Sequence, residues 1–329
     1  MRAVAAAGAA VVVGVVPDEV PWQAVANASR ASTTELASVP RPRVSGAIPL
    51  AEVVRIVRES GGDFMALLNE RAGPAFRAVP LNLTASFTVN SRVRRYTSNN
   101  VVGRIPGNAP RRADRPNESV LLLGHWDHLG TCGREGDSDR ICNGAVDNAS
   151  GIAMLIEIAG RLAAGPPPAR DIIVLATTAE EMGLLGAEHF AAQPPVPLDT
   201  IVAALNFDTV AIHGTGEPVA IIGRGLAPLD AAIAATAAEF GRPMDTTFAA
   251  DAFVQRQDGW ALARAGIPAV MVGGSFANIQ TLQRFLGGAY HGASDNVRPD
   301  IPLDGAAEDA NLSVALVRRL ADPAQYSRP

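Results

Sequence analysis

The strongest constraint on the fold is an alternation of apolar segments of strand length with segments of helical periodicity, from about residue 119 onward. Uninterrupted apolar strands are typical of a sheet that is buried on both faces by helices. We therefore predict an α/β fold with a mainly parallel central sheet and helices on both of its faces. The predicted strands are 119–124, 171–178, 201–207, 219–222 and 269–272. The predicted helices are 149–164, 183–192, 226–240, 260–265 and 303–320.

The first third of the chain is less regular. Residues 17–50 are rich in Pro, Ser, Thr and Ala without a sustained period, and we interpret them as irregular. Two short helices are predicted at 51–59 and 63–70, followed by strands at 83–90 and 101–105.

The N-terminal sequence is compatible with two interpretations. The Ala- and Val-rich stretch after Met1-Arg2 is similar to the apolar part of a signal peptide, with a possible cleavage site at 26–28. Alternatively, it forms a short Ala-rich helix that leads through Gly8 into a buried strand at 11–16. We favour the helix and strand, because Val is unusual in a signal peptide and one Arg is a weak basic start.

The composition limits the class of protein. Of the 329 residues, 48% are hydrophobic and 19% are charged, which favours a large core over disorder. The net charge of -5 argues against nucleic acid as a partner, because phosphate binding requires a basic face. No apolar run is long enough to span a bilayer.

The two cysteines, Cys132 and Cys142, lie in one loop. They are too few for a thiolate zinc site. They form either one disulfide, which would fit an oxidising compartment, or two free thiols, and the sequence leaves both possibilities open.

Side chains that bind metals follow the predicted strands or lie in loops near them. Imidazole and carboxylate ligands together suit zinc. Loops beyond the strand ends carry the chemistry of such sheets, so these residues predict hydrolysis by a metal-activated water. The candidate residues are His125, Asp147, Glu180, Glu181, Asp208 and His291.

Each motif alone has an ordinary interpretation. Asp147 begins a long helix, where a carboxylate is a common N-cap, yet its two oxygens could also bridge two cations. Glu180 and Glu181 are adjacent, so their side chains diverge; one could bind metal while the other carries a proton. Asp208 follows an apolar strand, where an unpaired carboxylate is costly. The combination favours a metal site.

Neighbouring residues suggest how the ligands are oriented. Asp127 follows His125 by two positions and could orient its imidazole from behind. Asp295 could do the same for His291. Three further histidines are left without a role: His128, His189 and His213.

Taken together, these motifs resemble those of the M28 family of co-catalytic zinc exopeptidases, which are mostly aminopeptidases. The resemblance implies a three-layer zinc-exopeptidase fold with a mixed, mainly parallel central sheet. It also implies two Zn²⁺ ions bridged by Asp147, the first bound by His125 and Asp208 and the second by Glu181 and His291.

The same resemblance implies a reaction. Glu180 matches the general base, Asp127 the carboxylate behind the His ligand, and Tyr290 the hydroxyl that helps to hold the tetrahedral intermediate. The expected activity is removal of the N-terminal residue from peptide substrates. Alternatives are a carboxypeptidase or dipeptidase, for which Arg256 and Arg284 could bind the substrate carboxylate, another amide hydrolase, or a non-catalytic binding module.

One motif departs from the family. Many relatives carry Ser-Asp-His or Ser-Asp-Gln where this chain has Gln257-Asp258-Gly259. That loop often shapes the substrate pocket, so the departure affects the expected specificity and leaves metal binding untouched.

The resemblance also implies two domains. Residues 81–329 match the M28 catalytic domain, and residues 1–80 resemble the second half of a protease-associated (PA) domain with connecting helices. We therefore expect that the chain begins partway through the PA-like domain. Larger secreted members of the family commonly carry this domain, so a secreted or periplasmic location is expected.

Overall fold

The chain forms two compact units in a computed structural model, Met1–Tyr96 and Thr97–Pro329. We predicted a boundary at residue 80, whereas the structure divides the chain between Tyr96 and Thr97. The structure describes residues 2–28, 32–69, 79–110, 117–133, 135–226 and 228–328.

The first unit is built on a small parallel sheet. Its elements are α1 (Arg2–Ala6), β1 (Val11–Val16), α2 (Trp22–Ala28), β2 (Val44–Pro49), α3 (Leu50–Glu59) and α4 (Phe64–Asn69). β1 pairs with β2 in parallel, with Val11 opposite Val44. The predicted N-terminal helix and strand are confirmed. The strand is not buried as predicted, because alternate residues of a two-stranded sheet remain exposed. The irregular interpretation of 17–50 is wrong at α2 and β2 and is confirmed for residues 17–21 and 32–43.

The predicted strand at 83–90 is absent as regular structure. Its apolar residues Leu83, Phe87 and Val89 are exposed. An alternating pattern produces a strand only when a neighbour supplies hydrogen bonds, and within the described part of this unit no strand pairs with it.

The second unit contains a six-stranded sheet, whose strands are β3 (Val101–Ile105), β4 (Ser119–His125), β7 (Asp171–Thr177), β8 (Ile201–Asn206), β9 (Ala220–Ile222) and β10 (Ala269–Gly273). Their order across the sheet is β3-β7-β4-β8-β10-β9. A separate short hairpin is formed by β5 (Gly130–Thr131) and β6 (Ile141–Cys142). The four central strands are parallel, and the edge strands β3 and β9 are antiparallel to their neighbours. The predicted mixed, mainly parallel sheet is confirmed.

Helices cover both faces of this sheet, as predicted. They are α5 (Gly151–Ala164), α6 (Leu185–Ala192), α7 (Asp230–Glu239), α8 (Asp258–Arg264), α9 (Ile279–Leu286) and α10 (Leu303–Leu320). Helices α5, α7 and α10 pack on one face around Leu122, and α6 and α8 pack on the other around Leu121. Burying each of these leucines stabilises the fold by roughly 1.5–3 kcal/mol. No helix in the described ranges has both the length and the apolarity of a membrane span.

Helix α9 was not predicted. Its apolar residues Ile279, Leu282 and Leu286 follow helical spacing, and the Asn278 side chain caps its first turn by accepting from the Thr281 N–H. The sequence contains this helical spacing, but it covers only the eight residues Ile279–Leu286 and lies in a Gly-rich region, so it did not lead to a predicted helix.

Candidate metal centre

Three parallel neighbours in the sheet bring their carboxyl ends to one edge. β4 pairs with both β7 and β8, and His125 at the end of β4 is in register with Thr177 at the end of β7. Glu180 and Glu181 therefore follow β7 beside His125, and Asp208 follows β8 on its other side. The fold places side chains that are distant in sequence at a common point.

The first cluster consists of His125, Asp147 and Asp208, which are all buried. Nε2 of His125 lies 3.3 Å from Oδ1 of Asp147 and 3.7 Å from Oδ1 of Asp208. This buried Nε2 atom has no hydrogen-bond partner in the described part of the chain. Burial alone would lower the pKa of His125, but the two carboxylates outweigh it and raise the pKa well above its ordinary value.

The second cluster faces the other oxygen of Asp147. Nε2 of His291 lies 3.3 Å from Oδ2 of Asp147 and 3.0 Å from Oε2 of Glu181. The two oxygens of Asp147 thus point to two different imidazoles. All five predicted ligands are brought together, and Asp147 lies between the two groups.

His128, which sequence reasoning left without a role, also belongs to the second cluster. Its Nδ1 atom lies 2.7 Å from Oε1 of Glu181. His128, Asp147 and Glu181 offer ligand atoms that all lie within 4.8 Å of one another. The available signal was the second imidazole of the His-Trp-Asp-His motif, three positions after His125.

Asp127 lies close to the site but contacts different groups from those predicted. Its backbone oxygen lies 3.1 Å from Nδ1 of His125, whereas its carboxylate oxygen is 3.8 Å away, too far for a hydrogen bond. The carboxylate instead accepts the backbone N–H groups of Glu180 at 3.1 Å and Glu181 at 3.4 Å. Asp127 therefore fixes the turn that carries both glutamates.

Asp147 is held in an irregular turn, Ala145–Ser150, that precedes α5. The Asp295 carboxylate accepts the N–H of Val146 at 2.9 Å and the N–H of Asp147 at 3.1 Å. Asp295 was expected to orient His291, but these bonds show that it positions Asp147 instead. The backbone oxygen of Asp295 also accepts the N–H of Ala145 at 3.1 Å, so the loop after His291 is bonded to this turn.

Glu180 lines a cleft of about 450 Å³ beside Asp147 and Asp208. Burial is the main cause that raises the pKa of Glu180 to about 9, with His125 opposing it and neighbouring carboxylates adding to it. Glu180 thus has a high proton affinity in the metal-free protein and lines the open space of the cleft.

Tyr290 forms one wall of the same cleft. Its ring stacks on His291, with centroids 3.7 Å apart, and its hydroxyl accepts a hydrogen bond of 3.2 Å from Nη2 of Arg256. Burial and the charge of Asp147 raise the pKa of Tyr290 to about 12, so the hydroxyl retains its proton at neutral pH.

The rest of the cleft is largely apolar. Its residues include Phe253, Met271, Phe276, Leu282 and Leu286.

The motif that departs from the family lies at the edge of this cleft. Gln257 lines the cleft, caps α8 by accepting the N–H of Gly259 at 2.7 Å, and accepts from Nδ2 of Asn206 at 2.9 Å. Asp258 is buried and accepts a hydrogen bond from the hydroxyl of Thr177. Burial is the main cause that raises the pKa of Asp258 to about 7. Gln257, which replaces the Ser of many relatives, therefore borders the cleft and also holds the start of α8.

A disulfide lies next to the second cluster. Cys132 and Cys142 are bonded, with Cα atoms 5.8 Å apart, and they join the residue that follows β5 to the end of β6. Sγ of Cys142 lies 3.6 Å from the backbone oxygen of His291. Of the two possibilities that the sequence left open, the structure has the disulfide.

The donor set fits zinc. Imidazole nitrogens and carboxylate oxygens are its preferred ligands besides thiolate, and they are arranged here in two groups that share one carboxylate. A cation would also satisfy the buried Nε2 atom of His125.

The chain is similar to several known proteins. A probable zinc metalloprotease of Pyrenophora tritici-repentis is 34% identical over 112 residues, covering 32% of this chain and 25% of that protein. A probable glutamate carboxypeptidase of Arabidopsis thaliana, AMP1, is 30% identical over 151 residues, covering 44% of this chain and 19% of that protein. The chain thus matches a quarter or less of the length of these two relatives.

A solved structure and a family model extend the comparison. LapB from Legionella pneumophila superposes with a TM-score of 0.50 at 18% identity, covering 66% of this chain and 54% of that chain, which shows a shared fold. The model of peptidase family M28 matches residues 100–316, more than half of the chain. The predicted family is confirmed: this chain belongs to peptidase family M28, a family of zinc-dependent hydrolases.

Proposed function

We propose that the chain is a di-zinc exopeptidase that hydrolyses the N-terminal residue of peptides. The observation that carries this proposal is the position of Asp147, whose two oxygens face His125 and His291 respectively, each at 3.3 Å. A carboxylate in this position can bridge two cations roughly 3.5–4 Å apart.

The first zinc would be held by His125, Asp147 and Asp208. The second would be held by Asp147, Glu181 and His291. Bound zinc supplies Lewis-acid polarisation of the scissile carbonyl and lowers the pKa of water at the site.

The remaining steps belong to the side chains of the cleft. Glu180 accepts a proton from the attacking water and donates it to the leaving amine, a role supported by its position in the cleft beside Asp147 and Asp208. Asp127 holds the Glu180–Glu181 turn through two backbone hydrogen bonds. The Tyr290 hydroxyl retains its proton and can donate a hydrogen bond to the developing oxyanion.

The lining of the cleft bears on the choice of substrate. The apolar part of the cleft would accept an apolar side chain of the substrate.

A panel of chromogenic aminoacyl substrates, with free or blocked amino groups, tests the proposal. We expect hydrolysis of the free-amine substrates alone, loss of activity with a chelator, and recovery with zinc. Hydrolysis of N-blocked peptides that have a free C-terminus would contradict N-terminal specificity.

A second candidate function, a carboxypeptidase or dipeptidase, is favoured by Arg256. This residue lines the cleft and pairs with no carboxylate within the part of the chain that the structure describes. Arg284, the other candidate, instead bonds within α9 to the Thr281 hydroxyl at 2.9 Å. Matched dipeptides with a free or amidated C-terminus test Arg256: a preference for the free carboxylate that is lost in Arg256→Gln supports the second function.

We also propose a secreted or periplasmic location, supported by the Cys132–Cys142 disulfide. Immunodetection in fractionated cells tests it, and recovery of the protein in the cytosolic fraction would contradict it. The PA-like nature of the first unit stays a prediction, since the family match begins at residue 100.

A further inference from the structure

His128 has a buried imidazole that the proposed ligand set does not use. It lies in the loop after β4, and only 8% of its side chain is exposed. Both of its ring nitrogens are buried without a hydrogen-bond partner in the described ranges. An unpaired buried polar atom costs free energy, so an additional group is expected at this ring.

The contact between His128 and Glu181 indicates what that group is. Nδ1 of His128 lies 2.7 Å from Oε1 of Glu181, and neither atom has another polar partner among the residues that the structure describes. The other oxygen, Oε2, lies 3.0 Å from Nε2 of His291. Atoms of His128, Glu181 and Asp147 lie within 4.8 Å of one another. Electron-pair donors that converge without bonding to each other are suited to a shared cation.

The ring of His128 is held in this orientation by the backbone beneath it. Gly144 has a φ of 65°, and a Cβ atom there would lie 2.6 Å from Cγ and 2.8 Å from Cδ2 of His128. The ring packs directly on the glycine backbone, and the edge of His291 lies on another side, with centroids 5.9 Å apart. The imidazole is therefore positioned before any cation binds.

We propose that His128 is a further ligand of the second zinc, beside Asp147, Glu181 and His291. This inference rests on the proposed di-zinc function. It makes the two zinc positions unequal, since the second is held by two imidazoles and the first by one. Zinc accepts a fifth ligand, so substrate can still approach the second position.

Zinc titration against a competing chelator tests the proposal, with wild type compared with His128→Ala and with His189→Ala, a surface histidine, as control. In His128→Ala we expect the second affinity to fall by more than about 100-fold, because losing an outer hydrogen-bond partner costs only about 10–100-fold. The first affinity and the His189→Ala variant should be unchanged.

X-ray absorption of zinc-loaded wild type is the second measurement, and it does not depend on how a variant folds. We expect three imidazoles for two zincs in wild type and two in His128→Ala. Two imidazoles in both proteins, or a smaller affinity loss, would place His128 outside the ligand set while leaving the di-zinc function intact. A wild-type protein that binds a single zinc or none would overturn the proposed function itself, and this inference with it.

Discussion

The two halves of the candidate centre are built differently. In the first half, His125 ends β4 and Asp208 follows the adjacent β8, and only 2% of the His125 side chain is exposed. In the second half, Glu181 and His291 lie on loops, and 36% of the His291 side chain is exposed. The first half is positioned by a hydrogen-bonded sheet, whereas the second depends on long-range loop contacts. We therefore expect the first half to be the more rigid and the second to be more open to substrate.

The largest expected effect is a loss of turnover on substitution of Glu180, which belongs to neither half of the centre. Glu180→Gln should lower kcat by about 10²–10⁴-fold, the usual contribution of a general base, because the amide cannot accept the proton. Zinc content should be unchanged, since Glu180 belongs to neither ligand set. Glu157→Gln, an exposed residue on α5, is the matched control. Undiminished turnover in Glu180→Gln would exclude it as the base.

The second effect compares the two halves directly. A zinc ion present at about 1,000 times its Kd adds about 4 kcal/mol to the free energy of unfolding. Chemical denaturation with and without zinc should show a larger loss of this stabilisation for His125→Ala than for His291→Ala. The reason is that charge interactions are stronger at the more buried imidazole. A larger loss of zinc stabilisation in His291→Ala than in His125→Ala would contradict the expectation that the more buried half contributes more.

The third effect concerns the turn Ala145–Ser150, which carries Asp147, the residue shared by the two halves. Asp295→Ala leaves the N–H groups of Val146 and Asp147 unpaired, so the metal-free protein should lose about 1–3 kcal/mol of stability for each buried donor left unsatisfied. Asp295→Asn retains one acceptor oxygen and should lose less. Urea denaturation measures both, and equal stability of wild type and Asp295→Ala would show that the turn is held by other contacts.

The smallest effect lies outside both halves, at buried His213. Burial lowers the pKa of His213, but its 3.0 Å contact with Asp309 outweighs this, despite nearby Arg242, and the net pKa is raised. The charged imidazole therefore stabilises the fold below its unfolded pKa of about 6.5, and this contribution is lost as pH rises through the folded pKa. It amounts to about 1.4 kcal/mol per unit of pKa displacement.

A pH series of urea denaturation checks this region. The loss of stability above neutral pH should be smaller in His213→Gln than in wild type, and it should not depend on zinc. An identical pH profile in the variant would show that His213 is not the titrating group.

The same difference between the halves explains what the sequence could predict. His125 and Asp208 were found because they follow apolar strands whose order in a parallel sheet is predictable. His128 was left without a role, and Asp295 was given the wrong partner. The contact of His128 is 53 positions away, and those of Asp295 are 149 and 148 positions away, and all are set by loop packing. No periodicity encodes such contacts.

In the first unit, a clear sequence pattern led to a wrong prediction. Residues 83–90 have a clear strand pattern, yet the structure gives them no regular element, since pattern alone does not supply a partner strand. In β2, by contrast, a strand formed where composition suggested an irregular segment, because β1 offers a parallel edge at Val11–Val16. Tertiary pairing decided both cases.

Anomalous diffraction at the zinc edge, from crystals of the zinc-loaded chain, tests the central claim most directly. The account predicts two peaks about 3.5–4 Å apart. One should lie beside Oδ1 of Asp147 and His125, and the other beside Oδ2 of Asp147 and His291. A single peak, or two peaks that do not share Asp147, would contradict it.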